Sequence, residues 1–415
     1  MTSSFLLLFL FVALAAGLRW LASESPLQRV FGFLPVPFWC YMVPMLATTL
    51  GWLPQNHPLY DLLSHQMLPV CLALLLIDTD LKAIARLGGW ALGLMAMGAL
   101  GTMAGGLVSY LLYRKALPPD SWGAVGALTG SWIGGSANLV AVKEALNVPD
   151  ALIAPIILTD AVLAYSWMAL LVWGAGWQQR WDRIVAGSGW AGSAASRVRA
   201  GTESRNDSLA GTSEDECRSE RNLAGVARTA HRWPAGTGQT LAILVLSVAL
   251  SLAAQWAAQF LPASGRAFNA FTWTILLVTT ASLLLSLTPL RRLCRAGGAS
   301  LGTFLLLVLL ASIGARGNLR AAFEAPAFLL MGLTWLAIHG AILLLFGYLW
   351  KAPLGLIATV SQANIGGTIS APIVGATYSR ELAGVGLLMA VLGNVLGTYA
   401  GLLTASLAQW LAGSF

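Results

Sequence analysis

Apolar residues along this chain fall in blocks, each about 18–26 residues long, the length of helix that crosses about 30 Å of hydrocarbon. The blocks do not alternate polar and apolar positions, so they do not read as the ten-residue strands of a membrane β-barrel. Lipid offers no partner to a free backbone N–H or C=O, so segments of this kind must be helices. The pattern predicts spans at 3–21, 36–53, 67–84, 88–113 and 151–177, then at 237–261, 271–289, 298–315, 325–350 and 382–411. Between the fourth and fifth span of each set lies a glycine-rich apolar stretch, 121–147 and 352–379.

The two sets resemble each other. Trp132-Ile133-Gly134-Gly135-Ser136-Ala137 aligns with Asn364-Ile365-Gly366-Gly367-Thr368-Ile369. Asp160-Ala161-Val162-Leu163-Ala164-Tyr165 aligns with Asn394-Val395-Leu396-Gly397-Thr398-Tyr399, and Asp80-Leu81 with Asn318-Leu319. Three matches in the same order point to a duplication. The expected organisation is a first repeat, 1–187, a linker, 188–236, and a second repeat, 237–415. The linker is rich in Arg, Ser, Gly and Glu and poor in large apolar residues, so it is expected to be disordered and cytoplasmic.

Charge chooses between two topologies. If each glycine-rich stretch dips in and returns, each half crosses five times and the halves are inverted. If each stretch crosses, there are twelve crossings and the halves are parallel. With dipping stretches, Arg19, Arg29, Lys82, Arg86, Arg180, Arg183, Arg291, Arg292, Arg295 and Lys351 share the side of the linker, as cytoplasmic charges do. With crossing stretches, Arg19, Arg29, Lys82 and Arg86 leave it. The expected fold is therefore an all-α polytopic membrane protein of two inverted five-helix repeats. Each repeat carries a glycine-rich re-entrant hairpin or broken helix, and both termini lie outside; twelve crossings is the alternative.

Composition agrees. Only 10% of residues are charged, against roughly 25% in a soluble domain, so no water-facing surface can be built. The formal charge of +7 comes from Arg and Lys at block ends and does not point to nucleic acid. Trp20, Trp52, Trp177, Trp350 and Trp410 also fall at span ends, as an aromatic belt requires. Cys40, Cys71, Cys217 and Cys294 have no metal or disulfide spacing. No basic residue precedes the apolar run that starts at Ser3, so it is read as a span and not as a cleaved signal peptide.

Chemistry is sought where unwound backbone would lie within the membrane. Such backbone persists only where it lines a cavity or is buried in protein. Around Gly134 and Gly135 stand Ser131, Ser136 and Asn138; around Gly366 and Gly367 stand Ser361, Gln362, Asn364, Thr368 and Ser370. Half-helix N-termini there favour anions, and free carbonyls ligate cations. The bland reading is close helix packing, with hydroxyls and amides as interhelical glue. Asp160 is a candidate cation or proton carrier whose repeat partner, Asn394, is neutral. Arg316 offers a planar fork to a substrate carboxylate, or else snorkels to the interface. Asp78 and Asp80 read as helix-end charges, and His339 as a hydrogen-bonded structural histidine.

The segment Leu128-Thr129-Gly130-Ser131-Trp132-Ile133-Gly134-Gly135-Ser136-Ala137-Asn138 resembles a signature of the YjcL-like bacterial membrane proteins. Leu76-Ile77-Asp78-Thr79-Asp80-Leu81 and Asn318-Leu319-Arg320 fit its pattern too. More distantly, the twin Gly-Gly elements look like those of sodium/glutamate symporters, a group similar to bile-acid-type sodium symporters and cation/proton antiporters. The resemblance implies a sodium- or proton-coupled secondary transporter of the bacterial inner membrane, with its site between the two stretches.

The expected function is thus ion-coupled transport of a small organic anion (an amino acid, dipeptide or carboxylate) by alternating access. A cation/proton antiporter using Asp160 is the alternative, and an intramembrane enzyme or scaffold stands behind both. No cofactor is expected beyond the coupling ion, Na+ or H+, with sodium placed near Asn138 and Asp160. The bilayer and a small solute are the expected partners, nucleic acid is not, and a homodimer is an allowed assembly.

Overall fold

A computed structural model describes residues 3–24, 31, 34–85, 87–186, 237–263, 269–291, 297–320 and 325–413. The linker, and with it the expectation of disorder, lies outside them, as do Arg29, Arg86, Arg266, Arg292, Arg295, Cys217 and Cys294. The described residues contain helices and no strand.

The first half runs α1 (Ser4–Glu24), α2 (Val36–Thr49), α3 (Pro58–Ile77), α4 (Gly89–Tyr113), α5 (Ser121–Gly134), α6 (Ser136–Ala145) and α7 (Ile153–Gly174). A short α8 (Gln178–Ala186) follows. The second half repeats the order with α9 (Thr237–Ala258), α10 (Ala270–Ser286), α11 (Gly298–Arg316), α12 (Ala325–Leu349), α13 (Leu354–Ala363), α14 (Gly367–Tyr378) and α15 (Arg380–Gly413). Among the described residues, eight helices are long and apolar enough to cross a membrane.

Most boundaries fall where the apolar blocks predict them. The exception is α3, which starts nine residues before the predicted span at 67–84 and ends seven residues before its close. Hydropathy hides its first turns because they carry Asp61, His65 and Gln66, three exposed polar residues that each meet a partner on another helix. Asp61 pairs with Arg316 at 2.7 Å, the His65 ring lies 4.7 Å from that of Phe271, and Gln66 accepts a bond from Gln255 at 3.3 Å. The helix begins at Pro58, whose missing N–H costs nothing in a first turn, with His57 capping the Leu59 N–H.

The two halves share several features of the backbone. Gly135 and Gly367, aligned in the two repeats, both break their helix pair with a positive φ, +80° and +78°. Only glycine takes that conformation without a steric cost. Asp80 and Asn318, also aligned, both cap the turn after the third helix, accepting from Ala83 and Arg320 at 2.9 Å. Packing repeats with the halves exchanged: α2 lies on α11 as α10 lies on α3, α1 on α11 as α9 on α3, and α4 on α15 as α12 on α7.

The most extensive helix contact joins α5 to α15. Gly126, Gly130 and Gly134 recur every fourth residue on α5 and face Gly393, Gly397, Gly401 and Ala405, at the same spacing, on α15. A Cβ on Gly397 would come 2.7 Å from the Gly134 Cα, and one on Gly401 2.7 Å from the Gly126 carbonyl oxygen. Lipid tails are as apolar as leucine, so helices gain from meeting only through close van der Waals and polar contact. Small residues at this spacing supply it.

Gly397→Val is therefore expected to lower stability by about 1–3 kcal/mol, the usual cost of overpacking, seen as a fall in melting temperature of the purified protein. Gly384→Ala, on the same helix with open space around it, should leave the melting temperature unchanged or slightly raised.

Candidate functional site

Each broken pair folds back on itself. Gly123, near the start of α5, faces Val148 beyond the end of α6, and Gly130 faces Asn138 and Val142. Likewise Gly355, at the start of α13, faces Tyr378 at the end of α14. The turn of each pair is its tip, and the two tips converge. Gly393 on α15 lies against the Ile133 carbonyl, and a Cβ there would stand 3.5 Å from the Ala363 carbonyl oxygen. One glycine thus touches the ends of both α5 and α13, where the last carbonyls of a helix lack an intrahelical donor.

The neighbouring residue, Asn394, places its side-chain oxygen beside Gly135, 3.7 Å from where a Cβ would be. Gly135, Ser136, Asn394 and Thr368 are partly exposed and Gly366 is exposed. The N–H groups that open α6 and α14 point out of the same two tips, with no carbonyl ahead of them in the helix. The convergence therefore presents both carbonyl oxygens and amide hydrogens.

Polar side chains at the first tip are mutually bonded. Ser131 donates to the Asp160 carboxylate at 2.8 Å. Asn138 donates to the carbonyls of Gly134 and Asn394, at 2.5 and 3.3 Å, while its own oxygen accepts from Thr398. Asn138 thereby braces the tip to α15. At the second tip Gln362 donates to Ser370 at 2.9 Å, and Asn364 to the Val360 carbonyl at 3.0 Å and to the Met95 sulfur at 3.1 Å. The side-chain oxygens of Gln362 and Asn364 are buried and accept no hydrogen bond among the described residues. An unpaired buried acceptor is costly, so these two oxygens are ready ligands for a donor or a cation.

Arg316 lies elsewhere. Its guanidinium meets Asp61 at 2.7 Å and Glu144 at 3.7 Å, and Glu144 in turn holds Lys143 at 2.8 Å, which reaches Asp150 at 2.7 Å. This chain of charges fastens the base of the first hairpin to α3 and α11. A cavity of about 480 Å³, lined in part by Asp120, Trp122, Leu146 and Asn269, opens at the same base. At 1.5 Å per residue it lies most of an arm, roughly 18 Å, from Gly134. Asp80 pairs with Arg291 at 2.7 Å. Both ring nitrogens of His339 are partnered, with Thr102 and Ser361 at 3.0 Å, and Trp167 also reaches Ser361, at 2.9 Å.

Sequence reasoning brought together the residues of the two tips and Asp160, Asn138 and Asn394. It missed Gly393 and Thr398, for which the four-residue glycine spacing along α15 was the available signal. It also missed the Lys143–Glu144 pair, which no spacing rule connects to Arg316.

Fold and site together define a polytopic α-helical membrane protein with two broken, folded-back helix pairs that meet on one long helix. The chain belongs to the family described as "Protein of unknown function (DUF819)", whose model matches residues 8–411. It is similar to "Uncharacterized membrane protein YjcL" of Bacillus subtilis (strain 168), with 25% identity over 378 residues, 86% of this chain and 85% of that protein.

Removing the brace tests the first tip. Thr398→Val keeps the shape of the side chain but leaves the Asn138 oxygen buried without a donor. The expected loss is about 1–3 kcal/mol, read as a lower melting temperature, whereas Thr377→Val on exposed backbone should change little.

Proposed function

We propose that the protein is an ion-coupled secondary transporter of a small organic anion in the bacterial inner membrane. Its binding site lies between the two hairpin tips beside Gly393 and Asn394. The observation that carries this reading is the meeting of both tips on one glycine.

The arms support a re-entrant geometry. They are 14 and 10 residues long in the first pair and 10 and 12 in the second. At 1.5 Å per residue these are about 15–21 Å. Since α2 is also 14 residues long, what supports re-entry is that the two arms of each pair lie against each other. Arms that fold back leave five crossings in each half, an odd number, which makes the halves inverted. The two hairpins then enter from opposite faces and meet near the midplane. Inverted repeats with broken helices at mid-depth are the architecture of alternating access, because the same site can be exposed to either side by exchanging the conformations of the halves.

The amide hydrogens at the starts of α6 and α14, with Ser136 and Thr368, suit the carboxylate of an organic anion. The helix-end carbonyls, with the oxygens of Gln362 and Asn364, suit sodium. Asp160, held by Ser131 beside the first tip, is the one acid near the site among the described residues and the group that links transport to sodium or protons. Arg316 is occupied by Asp61 and Glu144 and is left out of the solute site. The cation/proton antiporter reading keeps Asp160 as the exchanging acid and dispenses with the anion. An enzyme pairing Ser136 with His339 finds no support, since Thr102 and Ser361 take both nitrogens of that ring.

The test is thermal stability of the purified protein against sodium, potassium, pH and a panel of small acids. A ligand at 100 times its dissociation constant adds about 2.7 kcal/mol. Sodium-dependent stabilisation by an organic acid is the expected result. Stabilisation by cations alone would favour the antiporter, and no response to any of them would overturn both. Asp160→Asn is expected to abolish the sodium or pH dependence while the protein still folds; an unaltered ion response would remove Asp160 from the coupling role.

A further inference from the structure

The short helix α8 divides into two faces. On one, Trp181 donates from Nε1 to the Ala352 carbonyl at 3.0 Å, and Asp182 accepts from the Leu354 N–H at 3.0 Å. Leu354 is the first residue of α13, and Pro353 before it offers no side-chain cap. A carboxylate from the first half thus takes an orphan N–H at the positive end of a helix in the second half. Tyr378, closing α14, donates to the Leu171 carbonyl on α7 at 2.6 Å. The base of the second hairpin is therefore held by α7 and α8 at both arms.

The other side of α8 is exposed, and so is Trp177, the residue just before the helix. Trp177 is 55% exposed and Ile184 67%. Arg180 and Arg183, one turn apart, are exposed beside them, while the one acid of the helix, Asp182, accepts from the hairpin. Arg183 is exposed and donates its Nε to the Gln179 carbonyl of its own helix at 3.1 Å. Trp177 and Ile184, seven residues apart, share one stripe with the two arginines beside it, the arrangement of a helix lying in the bilayer interface. The apolar groups enter the acyl boundary and the guanidiniums meet phosphates. The cytoplasmic leaflet, where the positive charges place this helix, is the anionic one.

We propose that α8 senses anionic lipid and passes its state to the second hairpin. Lipid phosphates bind Arg180 and Arg183 and hold α8 in the interface, and Asp182 and Trp181 then fix the base of α13. The partner is the bilayer itself, through the phosphates of anionic headgroups. A weakly anionic membrane loosens α8, and with it the end of the hairpin opposite the solute site.

The test uses the full chain in vesicles of phosphatidylcholine, with and without phosphatidylglycerol, and reads amide hydrogen exchange. Phosphatidylglycerol is expected to slow exchange in α8 and at 354–358 about fivefold or more, the factor that one arginine near an anionic surface supplies, and to leave α1 unchanged. High salt should remove the effect by screening. Inorganic phosphate added to phosphatidylcholine vesicles should not reproduce it. The double variant R180Q/R183Q should lose the response in both segments. Asp182→Ala should lose it in α13 and keep it in α8. Equal exchange in the two vesicles, a full response to free phosphate, or an undiminished response in R180Q/R183Q would overturn the lipid role; a retained α13 response in Asp182→Ala would overturn the coupling. Exchange is read without any transported solute, so these outcomes stand apart from the transport reading.

Discussion

Close approach of α5 to α15 is the contact on which the rest of the molecule depends. Gly126, Gly130 and Gly134 on one helix and Gly393, Gly397 and Gly401 on the other let two backbones come within reach of each other. In lipid no hydrophobic gain accompanies helix association, so an arm of 14 residues stays within the protein only if its packing and hydrogen bonds are good. The same contact sets the position of the tip, because Gly134 ends α5 where Gly393 and Gly397 leave room for it. Asn138 and Thr398 then fix the tip with the side-chain bonds that glycine cannot make.

From this follows the layout of the site. Gly393 is shared by the ends of α5 and α13, so the two broken elements are not independent features but halves of one constellation. Each hairpin is fastened at its base by the opposite half of the chain. Arg316 meets Glu144, and Asn269 and Thr272 donate to the Ala145 carbonyl, at the first hairpin. Leu171, Trp181 and Asp182 hold the second. A charge network fastens one base and neutral or helix-cap bonds the other, so the two ends of the molecule differ in what must be broken to move them.

Much of the fold was legible in the sequence because apolar length and helix length are the same quantity in a membrane. The boundaries of α4, α7, α11 and α12 follow directly from it. The start of α3 was not legible, since Asp61, His65 and Gln66 look like loop residues until Arg316, Phe271 and Gln255 are seen beside them. The breaks at Gly135 and Gly367 were legible from the paired glycines and the repeat. Their convergence was not, because it depends on Gly393, one glycine among many. Arg316 shows the limit most clearly: an arginine at the end of an apolar helix signals a costly charge, but only the fold shows that Asp61 and Glu144 answer it.

The central claim is that two hairpins enter from opposite faces and meet on α15. Its most direct test is sided labelling of single cysteines at Lys115, Asp150, Lys351 and Arg380, on a cysteine-free background, with a membrane-impermeant thiol reagent in intact cells and in inverted vesicles. The first two positions flank the first hairpin and the last two the second. The account predicts that Lys115→Cys and Asp150→Cys react from one face and Lys351→Cys and Arg380→Cys from the other. Reaction of the two members of either pair from opposite faces would make that stretch a crossing and contradict the account.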